Sequence, residues 1–150
     1  MLHRLASRRE REALTRSEMM ARIRAADTHP ERAVRAALFA KGIRFRKNVK
    51  DLPGKPDIAN KSGKWAIFVH GCFWHSHENC SLASQPKSNR GYWRPKLERT
   101  KERDRLHIEA LRWLGYRVFV LWECNVRKGQ IPATLLKTVR RRTPPARKAR

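Results

Sequence analysis

The stretch His70-Gly71-Cys72-Phe73-Trp74-His75-Ser76-His77-Glu78-Asn79-Cys80 constrains the fold more than any other part of the chain. Thiolates and imidazoles at such short spacing select a soft divalent metal, zinc above all, and a metal clip ties the elements that carry its ligands to one point. Cys72, His77 and Cys80 supply three donors, and Cys124, just beyond a distant apolar run, supplies the fourth. His75 is the competing donor. The chain has 3 cysteines, so any disulfide scheme leaves one thiol over, whereas three thiolates and one imidazole close a tetrahedral site. Zinc held by four protein groups leaves no position open for water, so this metal staples a loop and catalysis belongs elsewhere. The plain alternative is that Cys72 and Cys124 are small buried apolar residues.

Charge describes the partner. Against 13 Asp and Glu stand 36 Lys and Arg, a net +23 on 150 residues, and such a field attracts polyanions such as a phosphate backbone. A membrane surface is the other reading of a basic balance, but there is no long apolar run and no clean amphipathic anchor. Residues 1–11 are basic without the apolar core of a secretory signal, which predicts a reducing cytosol and free thiols.

The length suits one compact domain. Residues 1–27 read as a basic arm that turns helical against a partner, residues 28–139 as the folded domain, and residues 140–150 as a basic disordered tail. A helix starts at Thr28, where Thr28 and Glu31 fit a capping box, and stops at Gly42. Strands are expected over 43–49, 57–59 and 65–69, separated by turns at Pro53-Gly54 and Ser62-Gly63. A long helix over about 95–114 ends at Gly115, and 116–122 is a nearly continuous apolar strand of the buried, parallel type. A short helix over 132–139 follows. The order helix, three strands, helix, strand indicates an α/β fold.

Two acids stand out. Asp57, at the start of a strand in Gly54-Lys55-Pro56-Asp57, is an exposed carboxylate able to hold Mg²⁺, although an ordinary turn aspartate looks the same. Leu97, Asp104, Ile108 and Leu111 fall on one helical stripe, so Asp104 points inward and needs a partner. His75, once left out of the zinc set, is the natural one, because a carboxylate on one ring nitrogen raises the basicity of the other. The competing reading is a salt bridge from Asp104 to Lys101, Arg103 or Arg105. Phe73, Trp74 and Trp93 sit in basic, polar surroundings and read as exposed stacking residues, whereas Trp65, Trp113 and Phe119 read as core. Phe73 could instead pack around the zinc.

These residues resemble the very short patch repair (Vsr) DNA mismatch endonucleases, a branch of the restriction-endonuclease-like fold. The likeness spans residues 15–127, on Thr15-Arg16-Ser17, Leu52-Pro53-Gly54-Lys55-Pro56-Asp57, the block from His70 through His77 to Cys80, Tyr92-Trp93, Arg103-Asp104, Gly115-Tyr116-Arg117-Val118 and Trp122-Glu123-Cys124. It implies a central mixed sheet flanked by helices, a structural zinc site and a flexible N-terminal arm. It implies an enzyme that nicks the thymine strand at a T·G mismatch left by deamination of 5-methylcytosine, after which a polymerase restores cytosine. Asp57 and the backbone carbonyl of Val69 would hold Mg²⁺, with His70 where restriction-type nucleases carry a lysine. His75, oriented by Asp104, would be general base or acid, and Glu31 would contact water around the magnesium.

Phe73, Trp74 and Trp93 match a wedge entering beside the mismatch from the major groove, Met20 and Ile23 match residues pressing in from the minor groove, and Arg16 belongs to the same DNA-contacting arm. Lys96 and Thr100 occupy positions near the mispair where the family often has Lys and Asn. Two residues separate His77 from Cys80 where the family often has one. The implied partners are double-stranded DNA with a T·G mismatch and mismatch-repair proteins of the MutL and MutS type. The implied state is a monomer in the bacterial cytoplasm, associated with the nucleoid.

Overall fold

Six consecutive buried residues, Trp65–His70, form the strand about which the molecule is arranged. In the computed structural model, which describes residues 14–23 and 26–143, the sheet has four strands in the order β1 (Arg46–Lys47), β2 (Ile58–Asn60), β3 (Trp65–His70) and β4 (Arg117–Trp122). Each of the first three runs antiparallel to its neighbour among them, as a meander requires. β4 lies parallel to β3, with Ile67 opposite Phe119 and His70 opposite Trp122. A parallel return needs a crossover, and the long helix between β3 and β4 provides it.

Alternation along β3 sorts the core into two layers. Trp65, Ile67 and Val69 pack with Val34 and Leu38 of α2 (His29–Ala40), with Val126 of the helix Glu123–Arg127 (α4) and with Leu135 and Val139 of the helix Ala133–Arg142 (α5). Ala66 and Phe68 face the other way, against Leu111 and Ile108 of α3 (Arg90–Trp113). Each large apolar side chain buried in this way contributes about 1.5–3 kcal/mol. His70, the next residue in the period of two, therefore emerges on the α3 side at the strand's C-terminal end. A third cluster of Phe73, Trp93 and Leu97, with Met20 and Trp74 against it, seats α1 (Arg16–Arg22) on the body.

The α/β reading is borne out, with corrections. α3 begins at Arg90 rather than near Pro95, and Pro95 is carried inside the helix, where it forfeits one backbone bond. β4 is an edge strand and mostly half-buried, not enclosed on both faces. Trp113 is 91 % exposed instead of core, because it lies about 200° round the helix from the inward residue Leu111. Phe73 and Trp93, expected at the surface, are each 2 % exposed, buried edge to face against one another and roofed by α1.

The boundaries of the ends shift too. Arg140, Arg141 and Arg142 continue α5 instead of beginning a disordered tail. Arg142 donates to the Lys64 carbonyl at 3.2 Å, and the Trp65 indole N–H donates to the Thr143 hydroxyl at 2.8 Å. α1 packs on the body, its first turn closed by a reciprocal Thr15–Glu18 capping box. At Thr28 only half of such a box forms, since the Glu31 carboxylate accepts from the Asp27 N–H at 2.9 Å and from the Thr28 hydroxyl at 3.2 Å. Residues 1–13 of the arm and residues 144–150 of the tail lie outside the described residues. No helix among the described residues is long and apolar enough to cross a membrane.

Candidate active site and metal centre

At the C-terminal end of β3, the residues just before β2, the loop after β3 and the middle of α3 meet. Asp57 immediately precedes β2, and its Oδ2 accepts the Val69 N–H at 2.7 Å, so the carboxylate is fixed to the neighbouring strand. Loss of water raises its pKa from 3.8 to about 6; the Val69 N–H opposes the rise, the negative charge of Glu31 adds to it, and His75 opposes it. Asp57 thus lies within the field of both Glu31 and His75. Glu31 is buried in the first turn of α2, with an Arg35 Nη 3.8 Å from its carboxylate.

Asp104 faces inward, as its helical stripe predicts, and its Oδ2 lies 2.5 Å from His75 Nδ1. The alternative salt bridges from Asp104 to its neighbours on α3 do not form among the described residues. The His75 ring stacks on His70 at 3.8 Å between centroids and 4° between planes. Burial lowers the His70 pKa from 6.5 to about 3, His75 lowers it further and Asp104 works the other way, so at neutral pH His70 is an uncharged imidazole. His70, His75 and Asp104 can bring three ligand atoms within 4.8 Å of one another.

The second cluster is the one the spacing predicts. The ligand atoms of Cys72, His77, Cys80 and Cys124 all lie within 4.8 Å of one another, with the Cys72 and Cys124 sulfurs each 3.5 Å from His77 Nδ1. The loop folds back because the His77 N–H donates to the Cys72 carbonyl at 3.0 Å while Ser76 and Asn79 take left-handed backbone conformations. Cys124 enters from the first turn of α4, brought alongside by the parallel register of β4 on β3. The His77 ring stacks on Trp122 at 4.1 Å. Burial pushes the Cys72 thiol up to about 12, so without a cation this sulfur keeps its proton. His75 is directed to Asp104 and stays out of this set.

Among the residues expected to meet nucleic acid, Trp74 is half-buried and packs edge to face on Phe73 and Trp93. Arg16 is turned inward: it donates to the carbonyls of Ser84 and Leu82 at 2.6 and 2.8 Å, with its guanidinium 5.4 Å from the Phe73 ring centre. Met20 packs on the aromatic cluster and Ile23 is exposed. Lys96 places its ammonium 5.6 Å from Trp74 and from Trp93. The Thr100 hydroxyl donates to the Lys96 carbonyl at 3.0 Å and so is held along its own helix.

Three contributors carry no strong signal in sequence. Glu123 accepts the Cys72 N–H at 3.3 Å, a role that its place in the Trp122-Glu123-Cys124 motif does not reveal. His107 packs on Gly54, where an added Cβ would meet the His107 Cβ at 2.7 Å, and this contact joins the Asp57 loop to the helix that carries Asp104. Tyr92 lies one helical turn before Lys96, and the i, i+4 spacing is its signal.

The sequence profile described as DNA mismatch endonuclease Vsr matches residues 11–82. The type II nicking enzyme V.XorIIP of Xanthomonas oryzae pv. oryzae (strain KACC10331 / KXO85) is 46% identical over 111 residues, 74% of this chain and 81% of the relative. The type II nicking enzyme V.NmeAIP of Neisseria meningitidis serogroup A is 41% identical over 116 residues, covering 77% and 82%. The DNA mismatch endonuclease Vsr of Escherichia coli (strain K12) is 40% identical over 113 residues, covering 75% and 72%. At 40% identity to that enzyme over 75% of its own length, the chain belongs to the DNA mismatch endonuclease Vsr family and is an endonuclease acting on DNA.

Proposed function

We propose that this protein hydrolyses one phosphodiester bond in the thymine-containing strand of duplex DNA at a T·G mismatch. One observation carries the chemistry: His75, held by Asp104 and stacked on His70, lies within the electrostatic reach of the desolvated Asp57 carboxylate. A site of this kind holds a base, an acid for a hard cation and a neutral donor in one place.

Asp104 takes the Nδ1–H of His75 and leaves Nε2 to accept a proton from the attacking water. The water oxygen bonds to phosphorus and the bond from phosphorus to O3′ breaks. A 5′-phosphate and, after O3′ takes a proton, a 3′-hydroxyl remain. His70, kept neutral by burial, has one protonated ring nitrogen to offer the phosphate without adding a competing positive charge beside His75.

The donor set fits magnesium at Asp57 and the Val69 carbonyl, with Glu31 nearby, because a hard dication relieves the desolvated Asp57 carboxylate, whose pKa the negative charge of Glu31 helps to raise. When bound, magnesium neutralises charge on the scissile phosphate and on the departing oxygen. Zinc fits Cys72, His77, Cys80 and Cys124, where three sulfurs and an imidazole form a soft, saturated set suited to holding the loop. The mixed sheet with a helical crossover between β3 and β4 suits a restriction-endonuclease-like arrangement. Trp74 leads the wedge toward the bases, backed by the buried rings of Phe73 and Trp93, while α1 brings Met20 and Ile23 to the opposite groove.

The test is nicking of a short labelled duplex carrying T·G in the presence of Mg²⁺, by wild type and by Asp57→Ala. Wild type is expected to release a single 5′-phosphate-terminated product and Asp57→Ala none; equal activity would refute the assigned centre. Relatives named as nicking enzymes favour a second reading, in which ordinary matched sites are nicked. Equal rates on matched and T·G duplexes would select it.

A further inference from the structure

Lys96 does not stand alone on its helix face. Its ammonium sits 5.1 Å from the ring centre of Tyr92 and donates to the Tyr92 hydroxyl at 3.0 Å, beside Trp74 and Trp93. Tyr92 packs edge to face on Trp93 at 5.0 Å and is 57 % exposed, so its ring is anchored while its hydroxyl end reaches solvent. A phenol that accepts from an ammonium has one proton left to give, and the ammonium can only give. Outwardly, therefore, the Lys96–Tyr92 pair presents mainly hydrogen-bond donors, since the remaining phenolic lone pair is delocalised into the ring and accepts weakly. Thr100, the other hydroxyl on this face, gives its proton to the Lys96 carbonyl of its own helix and accepts from Arg103 at 3.5 Å, so it has no donor to offer.

Base edges differ in the way this pair can detect. In the major groove guanine shows two acceptors, O6 and N7, and thymine shows one, O4, while adenine and cytosine each show an amino donor. Every Watson–Crick pair thus carries one donor on its major-groove edge, and a T·G mispair carries none. We propose that Tyr92 is a specificity-determining residue: its hydroxyl, oriented by Lys96, donates to a keto oxygen of the mispair, and the Lys96 ammonium beside it disfavours the amino group that every matched pair presents there. This rests on the reading of the enzyme as a T·G nickase with Trp74 entering from the major groove.

The experiment compares kcat/KM of wild type and Tyr92→Phe on T·G and on matched duplexes, with thermal melting and zinc content as controls for the fold. The Phe variant keeps the ring against Trp93 and removes only the hydroxyl. Its preference for T·G over matched DNA is expected to fall about fivefold, the worth of one hydrogen bond, with melting and zinc unchanged. The same assay uses substrates in which 5-methylpyrimidin-2-one replaces thymine, deleting O4, or 2-aminopurine replaces guanine, deleting O6. One of these deletions is expected to slow wild type while slowing Tyr92→Phe little further, which a merely structural role would not produce. A wild type that nicks matched DNA as fast as T·G overturns both the mismatch reading and this inference. A wild-type preference that survives intact in Tyr92→Phe, or losses that compound fully with both analogues, overturns the inference alone.

Discussion

Arg16 and Ser84, 68 residues apart in sequence, are joined by a 2.6 Å hydrogen bond from the Arg16 Nε–H to the Ser84 carbonyl. A second bond, 2.8 Å long, runs to the Leu82 carbonyl, so α1 is tied to the segment that directly follows Cys80. Seating of the arm and closure of the metal loop are thereby coupled. Removing the metal with a chelator is expected to increase hydrogen exchange at the amides of α1 before the β3–β4 core opens. Arg16→Ala should produce the same loosening with the metal retained, and a raised KM for DNA. Unchanged α1 protection after chelation would show that the two are independent.

Cys124 is the one sulfur of its cluster that comes from outside the loop after β3. Cys124→Ser is expected to lower bound zinc and to cost several kcal/mol of stability, because the binding free energy of a closed site is also folding free energy. Metal analysis with thermal melting checks this, and a variant with full zinc and an unchanged melting temperature would remove Cys124 from the ligand set.

His75 and Asp104 act as a unit in the proposed hydrolysis. His75→Ala should leave melting almost unchanged and lower kcat by about 10²–10⁴-fold, and Asp104→Asn should lower it by about tenfold or more by releasing the ring. The double variant is expected to be little slower than His75→Ala. Full compounding of the two losses would mean that Asp104 works separately.

The two titrating groups at the strand end push stability in opposite directions with pH. Asp57 has its folded pKa raised from 3.8 to about 6, so the stability it contributes is present below 3.8 and is lost as pH rises through 6. His70 has its folded pKa lowered from 6.5 to about 3, so its contribution is present above 6.5 and is lost as pH falls toward 3. Asp57→Asn should abolish nicking in the presence of magnesium, yet in the magnesium-free protein it should raise stability at pH 7 by up to about 3 kcal/mol. Melting curves of that variant from pH 7 to pH 4 should also fall more steeply than those of wild type, since the opposing slope is gone. A destabilised Asp57→Asn at pH 7 would mean that the carboxylate is satisfied without a cation.

Gly54 has φ of +73° and would press a Cβ against His107. Gly54→Ala is expected to cost roughly 1–3 kcal/mol and to reduce nicking by displacing Asp57. Adding His107→Ala should recover part of that loss by opening space, and not all of it, because the left-handed backbone stays costly. Denaturant melts of the single and double variants separate the two causes.

The local pattern of residues determined much of this. Cys72, His77 and Cys80 stand close enough in the chain for their cluster to be read from spacing, and Asp104 announced its inward direction through the helical stripe it shares with Leu97 and Leu111. The apolar run before Cys124 declared a parallel strand, which in turn placed that sulfur near the loop. The exposure of aromatics was not legible. Phe73 and Trp93 lie among polar neighbours in sequence, and only the docking of α1 through Ser17, whose hydroxyl accepts the Trp93 indole N–H at 2.7 Å, buries them. Trp113 was misjudged for the converse reason, since its place round the helix matters more than its apolar character.

What the tertiary structure alone decided is proximity between residues distant in sequence: Asp57 to Val69 and Glu31, His70 stacked on His75, Arg16 on Leu82 and Ser84. Periodicity tells which way a side chain points from its own element. It does not say what stands opposite, because that depends on strand register and on the packing of whole elements, and those are settled by the summed burial of the two core layers rather than by any local motif.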